Sequence, residues 1–142
     1  MEFSSIFDCK IVPLNKISNK ESSITVIESN INISFDVKRI YYLYDVPIGE
    51  KRGGHAHKNL YQLITAAVGS YSVILDDGKQ KKTVRLDRPD IGLLIVPGIW
   101  RELLDFSSGA ISLVLASEIY SEADYIRDYM EFKILKNGYT NT

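Results

Sequence analysis

Cysteine is nearly absent: the chain carries one, Cys9, in 142 residues, so no internal disulfide can brace the fold. Long apolar runs are absent too, and nothing approaches the roughly 20 residues of a membrane span. The opening Met1-Glu-Phe-Ser-Ser5 has neither the basic nor the apolar stretch of a secretory signal. No charge of one sign dominates. Lys and Arg total 17 against 18 Asp and Glu, a net charge of −1, and both signs are interspersed. That leaves no electrostatic footprint for nucleic acid. These absences predict a soluble, cytoplasmic protein with neither nucleic acid nor a membrane as partner. No repeat or linker divides the chain, so one domain is expected over residues 1–136, followed by a polar tail, 137–142.

What is present reads mostly as strand. Ile24 to Glu28 and Phe35 to Val46 are rich in β-branched and aromatic residues. Tyr61 to Val68, Tyr71 to Leu75, Lys82 to Leu86, Gly92 to Val96 and Ala110 to Ala116 follow. Asp76-Asp77-Gly78 and Pro97-Gly98 mark turns between them. Short strands at this spacing predict an all-β sandwich or barrel. One helix is expected near the end. Ser121 would cap it, Asp124 would complete a capping box, and Tyr125, Ile126, Tyr129 and Met130 would pack its apolar face outside the barrel.

Histidine is scarce, and the only two, His55 and His57, share one phrase, Arg52-Gly-Gly-His-Ala-His-Lys58. On an extended segment, residues two apart face the same side. Three readings follow: a metal centre, two histidines that merely satisfy core hydrogen bonds, and a metal-free acid–base site. The spacing Gly49, His55-Ala-His57, Gln62, Gly69 resembles the first motif of the cupin superfamily, which are double-sheet jelly rolls. Gly92 to Pro97-Gly98 resembles the second. Cupin metal sites carry Glu where this chain has Gln62, and a third histidine near where it reads Ile99-Trp-Arg-Glu102. A guanidinium cannot ligate a cation. Two imidazoles alone are a poor site for zinc or iron. The expectation is therefore a site without metal or cofactor, in which imidazole does acid–base work.

A closer resemblance rests on Lys38-Arg-Ile-Tyr-Tyr42, the His-Ala-His phrase, Leu75-Asp-Asp-Gly78, Trp100-Arg-Glu102, Asp105-Phe-Ser107, Leu113-Val-Leu-Ala-Ser117 and Asp124-Tyr-Ile-Arg-Asp-Tyr129. Over roughly residues 23 to 133 the chain resembles the bacterial nucleotide-sugar 3,4-ketoisomerases. That resemblance implies a cupin jelly roll with one C-terminal helix outside it. It implies a homodimer with exchanged N-terminal strands, and a dTDP-linked 4-keto-6-deoxy sugar whose ketone moves from C4 to C3 without metal. The 3-keto product would feed an aminotransferase on the way to 3-amino-3,6-dideoxy sugars of lipopolysaccharide or S-layer glycans. His55 matches the family's proton acceptor and Tyr41 its active-site tyrosine, with His57 as partner or proton donor. Arg101 and Trp100 are expected at the cavity rim, Arg52 in electrostatic work, and Arg39 near the diphosphate. Arg101 leans toward the glucose rather than the galactose epimer at C4. Glu21 stands where the family has Tyr or Arg, which leaves that choice open. The competing readings are a non-catalytic nucleotide-sugar-binding cupin and a nucleotide-sugar 3,5-epimerase.

Overall fold

A computed structural model describes residues 3–138 of the chain. In chain order the strands are β1 (Lys10–Pro13), β2 (Asn15–Ser18), β3 (Ser23–Val26), β4 (Arg39–Leu43), β5 (Arg52–His57), β6 (Gln62–Val68) and β7 (Tyr71–Asp76). They continue with β8 (Lys81–Leu86), β9 (Ile91–Ile95), β10 (Trp100–Leu104), β11 (Ile111–Ala116) and β12 (Tyr125–Ile126), before helix α1 (Tyr129–Asn137). Two five-stranded antiparallel sheets form the body, ordered β1-β9-β6-β11-β4 and β12-β5-β10-β7-β8. The β2–β3 hairpin pairs with neither. This is the expected all-β double-sheet architecture with a C-terminal helix.

Period-two alternation sorts side chains into three packed layers. Ile64, Ala66, Val73, Leu75, Leu93, Ile95 and Val114 fill the space between the sheets. Leu63 and Leu115 point the other way from the first sheet, beneath Leu14, Ile33 and Phe35. Ala56 and Trp100 point outward from the second sheet and pack against Ile126 and Phe132 of the chain's end. Phe132 is fully buried, which is worth about 1.5–3 kcal/mol and is enough to hold a short helix on the sheet. Among the described residues no helix is long and apolar enough to cross a membrane.

Two expected elements differ. The long strand from Phe35 to Val46 is regular only over β4. Phe35 and Val37 instead fold across the outer face of the first sheet, and Asp45, at φ 57°, breaks the extended run. The C-terminal helix does not begin at Ser121. Glu122–Asp124 forms a single 3₁₀ turn without a side-chain cap, and Tyr125–Ile126 then pairs with His57 and Ala56 of β5. The helix starts after Asp128, whose side chain accepts the Glu131 N–H at 2.9 Å. Asp124 is unavailable as a helix cap because its carboxylate faces β5. Asn137, assigned to the tail from sequence, belongs to the helix; residues 139–142 lie outside the described residues.

Candidate active site

The phrase Arg52-Gly-Gly-His owes its glycines to a β-bulge. Across β5 and β10, Arg101 pairs with His55 and Leu103 with Arg52, so Gly53 and Gly54 together oppose the one residue between. Gly53 has φ +92°, and a Cβ there would come within 3.1 Å of the Leu103 side chain. The bulge lets Arg52, Gly53 and His55 all line one cavity of about 290 Å³ between the sheets. Tyr41 of β4, Gln62 and Ile64 of β6, Arg101 and Leu103 of β10, and Ser112 and Val114 of β11 are among its other walls.

Both histidines face inward, their ring centroids 4.8 Å apart and their planes nearly perpendicular. Tyr125 lies against both rings, 5.1 Å from His55 and 4.4 Å from His57. The Nε2 atoms of both histidines are buried without a hydrogen-bond partner among the described residues. Burial first, and the Arg101 charge second, hold His55 near pKa 3 and His57 near 2. The Asp124 carboxylate lies 3.0 Å from His57 Nδ1, yet desolvation of the enclosed ring, with the Arg101, Arg39 and Arg127 charges, keeps it neutral. Both imidazoles are thus free bases at neutral pH.

Arg101 is 2 % exposed and has no carboxylate partner among the described residues. Burial lowers its pKa only to about 10, so it stays charged. Its Nε and Nη2 donate to the Ile99 carbonyl at 3.2 and 3.1 Å, and its Nη1 donates to Gln62 Oε1 at 2.6 Å. That contact fixes the amide's orientation. Gln62 Nε2 therefore donates to the Tyr41 hydroxyl at 3.1 Å, leaving Tyr41's own O–H to donate elsewhere. Burial raises the Tyr41 pKa and keeps the phenol protonated. Hydrogen-bond polarity runs one way, from Arg101 through Gln62 to Tyr41. No three His, Cys, Asp or Glu among the described residues are grouped to hold a metal ion. The cation beside the imidazoles is instead a guanidinium.

A wider, open mouth adjoins the cavity. Arg39, Lys51, Arg52 and Arg127 surround it with Tyr120 and Tyr125, and it shares Tyr41 and His55 with the cavity below. Arg39 lies between the Tyr41 and Tyr120 rings, 5.4 and 5.5 Å from their centroids, and its Nε and Nη2 are buried without partners. Arg127 covers Tyr125 at 4.1 Å and pairs with Glu122 at 2.7 Å. Such a ring of cations suits a diphosphate.

Five of the seven residues named from sequence, Tyr41, His55, Arg39, Arg52 and Arg101, line the cavity or its mouth; His57 lies fully buried beside His55 and lines an adjoining pocket with Asn59 and Asp124. Trp100 does not. As the strand neighbour of Arg101 it points to the opposite face, where it meets Tyr129 and Phe132 at 5.2 and 5.7 Å. It holds the helix, not the cavity. Sequence reasoning missed Asp124 and Tyr125, and treated Gln62 only as a lost ligand.

The histidine pair implies acid sensitivity. Both folded-state pKa values lie below the ordinary 6.5, so the unfolded chain binds more protons below pH 6.5. Stability is full above that value and falls as the pH drops from 6.5 toward 3. Each histidine contributes about 1 kcal/mol per pH unit across that window. The urea midpoint should be level from pH 8 to 6.5 and decline steadily to pH 5; a level midpoint to pH 5 would contradict buried neutral histidines.

A family model described as "FdtA: WxcM-like, C-terminal" matches residues 7–137. The chain is 46% identical over 124 residues to a TDP-4-oxo-6-deoxy-alpha-D-glucose-3,4-oxoisomerase of Aneurinibacillus thermoaerophilus, covering 87% of this chain and 89% of that one. Its fold is similar to a sugar 3,4-ketoisomerase from Thermoanaerobacterium thermosaccharolyticum in complex with TDP, at TM-score 0.91 and 38% identity, covering 94% and 97% of the two chains. It is likewise similar to the TDP-quinovose 3,4-ketoisomerase of Campylobacter jejuni, at TM-score 0.85 and 46% identity over 89% and 97%.

Proposed function

The chain belongs to the family described as "FdtA: WxcM-like, C-terminal", and from that membership and the cavity's chemistry we propose that it is a TDP-sugar 3,4-ketoisomerase. Its substrate is TDP-4-keto-6-deoxyglucose, and the ketone moves from C4 to C3. The observation that carries this reading is the pairing of two neutral imidazoles, each with an Nε2 that has no hydrogen-bond partner among the described residues, with a buried guanidinium that meets no carboxylate there.

The C3 hydrogen of a 4-keto sugar is acidified by the neighbouring carbonyl. His55 Nε2 takes that proton; the C–H electron pair becomes the C3–C4 double bond and O4 becomes an oxyanion. Arg101 supplies the compensating positive charge, in a site where burial makes it count for more than in water. Tyr41, whose hydroxyl already accepts from Gln62, donates to a sugar oxygen. Closing the C3 carbonyl releases the C3 hydroxyl proton, which His57 takes up and returns to O4, while the C3–C4 double-bond pair takes a proton at C4 from His55, whose N–H exchanges with solvent, and His55 is again a free base. No electrons leave the sugar, so no redox cofactor enters. With C3 and C4 at the histidines, the diphosphate at the far end of the hexose reaches Arg39, Arg52 and Arg127 at the mouth.

A homodimer with exchanged N-terminal strands belongs to the same reading. Its support is the β2–β3 hairpin, unattached to either sheet, with Ile17 and Ile24 exposed, and the free edge of β4 exposing Ile40 and Tyr42. A cytoplasmic location also belongs to it, supported by the free thiol of Cys9. Arg101 favours the 3-keto-6-deoxyglucose epimer.

Incubating the protein with TDP-4-keto-6-deoxyglucose in deuterated water tests the assignment by NMR. A ketone at C3 with deuterium at C4 is expected. Deuterium at C5 would make it a 3,5-epimerase, and binding without conversion or exchange a non-catalytic nucleotide-sugar-binding module.

A further inference from the structure

The 3₁₀ turn ahead of β12 delivers one carboxylate to two donors. Asp124 Oδ2 lies 3.0 Å from His57 Nδ1, and Asp124 Oδ1 accepts the Asn59 backbone N–H at 2.7 Å. The Asp124 carbonyl accepts the Lys58 N–H at 2.9 Å, so the residue is clamped by backbone and side chain to the segment just beyond β5. Its side chain is 12% exposed.

This geometry dictates a tautomer. An ionised carboxylate only accepts hydrogen bonds, so the His57 nitrogen facing it carries the hydrogen. A neutral imidazole has one N–H, and Nε2 is left as a bare lone pair. That atom is buried with no partner, on the ring that stands edge-on to His55. We propose that Asp124 is a positioning residue: it locks His57 in the Nδ1–H form and so makes Nε2 an acceptor at the start of each turnover. The inference rests on the ketoisomerase reading, in which His57 must accept a sugar hydroxyl proton before it can return one.

Asp124→Asn separates this role from simple bracing. Asparagine has one acceptor where aspartate has two. The Asn59 N–H claims it, and the amide NH₂ then faces His57 Nδ1. That contact favours a lone pair at Nδ1 and moves the hydrogen to Nε2, the wrong form for accepting a proton. The chain has only two histidines, so ring ¹H–¹⁵N correlation spectra contain four nitrogens, and the His55→Asn variant assigns them. Wild type should show hydrogen on His57 Nδ1 and none on Nε2. Asp124→Asn should show the reverse, with kcat lower by about 10²–10⁴-fold and KM nearly unchanged. Hydrogen on Nε2 in the wild-type spectrum overturns the inference even if the variant fails to fold. So does a variant that inverts the tautomer yet keeps its turnover, or one that loses turnover with the tautomer unchanged. A wild-type protein with the expected spectrum but no isomerase activity would remove the catalytic reading and leave the tautomer assignment standing.

Discussion

Replacing His55 with asparagine should lower turnover by about 10²–10⁴-fold while leaving the fold and substrate binding intact. Asparagine keeps a polar group near the cavity wall but has no basic nitrogen, so the C3 hydrogen has nowhere to go. The substitution gives up the ring's hydrogen bond to the Gly53 backbone, a net cost of about 1 kcal/mol that the fold should tolerate, and His55 Nε2 has no hydrogen bond to lose. The variant also removes one of the two groups that make the protein acid-sensitive, so its urea midpoint should decline less steeply below pH 6.5 than that of wild type. Single-turnover assays and equilibrium binding of the nucleotide sugar measure the two halves separately. Turnover near the wild-type rate would remove His55 from the mechanism.

Arg101→Met is expected to have the next largest effect, and its sign is visible in two observables. Methionine fills comparable space without charge, so the developing oxyanion at O4 loses its cation and kcat should drop by about 10²–10³-fold. Arg101 is also the largest charge effect holding down both histidine pKa values, second only to burial. Without it, His55 takes up a proton more readily. The acid limb of kcat/KM should therefore move up toward pH 6.5. A diphosphate diester has no ionisation in that range to confuse the profile. Gln62 would lose the contact that orients its amide, and Tyr41 with it the fixed polarity of its hydroxyl. An unmoved acid limb, or turnover close to wild type, would mean that the buried charge serves packing alone.

Much of this was legible in the sequence, for identifiable reasons. The shared face of His55 and His57 followed from strand periodicity, and the all-β architecture from the spacing of β-branched runs and turns. The same periodicity, applied to Trp100-Arg101, places the two side chains on opposite faces; proximity in sequence had put both at the rim. Two helix-start signals compete near the end, Ser121 with Asp124 and Asp128 with Glu131. Only the second acts as a cap, since the Asp124 carboxylate is taken by His57 and Asn59. That competition is tertiary, and no local pattern reports it. Gln62 reads in the sequence as a missing metal ligand. Its use as a relay depends on β6 sharing a sheet with β4, one strand away, while β10 brings Arg101 from the opposite sheet, which only the sheet order supplies.

The residues proposed to do the chemistry are scattered over separate strands: Tyr41 on β4, His55 and His57 on β5, Gln62 on β6 and Arg101 on β10. Their contacts cross the interior between two sheets whose neighbours are mostly distant in the chain. Closing such non-local pairings is the slow part of folding for this kind of topology. No hairpin or single sheet contains enough of the set to turn over substrate. Recovery of isomerase activity after dilution from denaturant should therefore wait for both sheets to be in place; activity that returned ahead of the full far-ultraviolet signal would contradict this. In this chain the proposed catalyst exists only where the fold is complete.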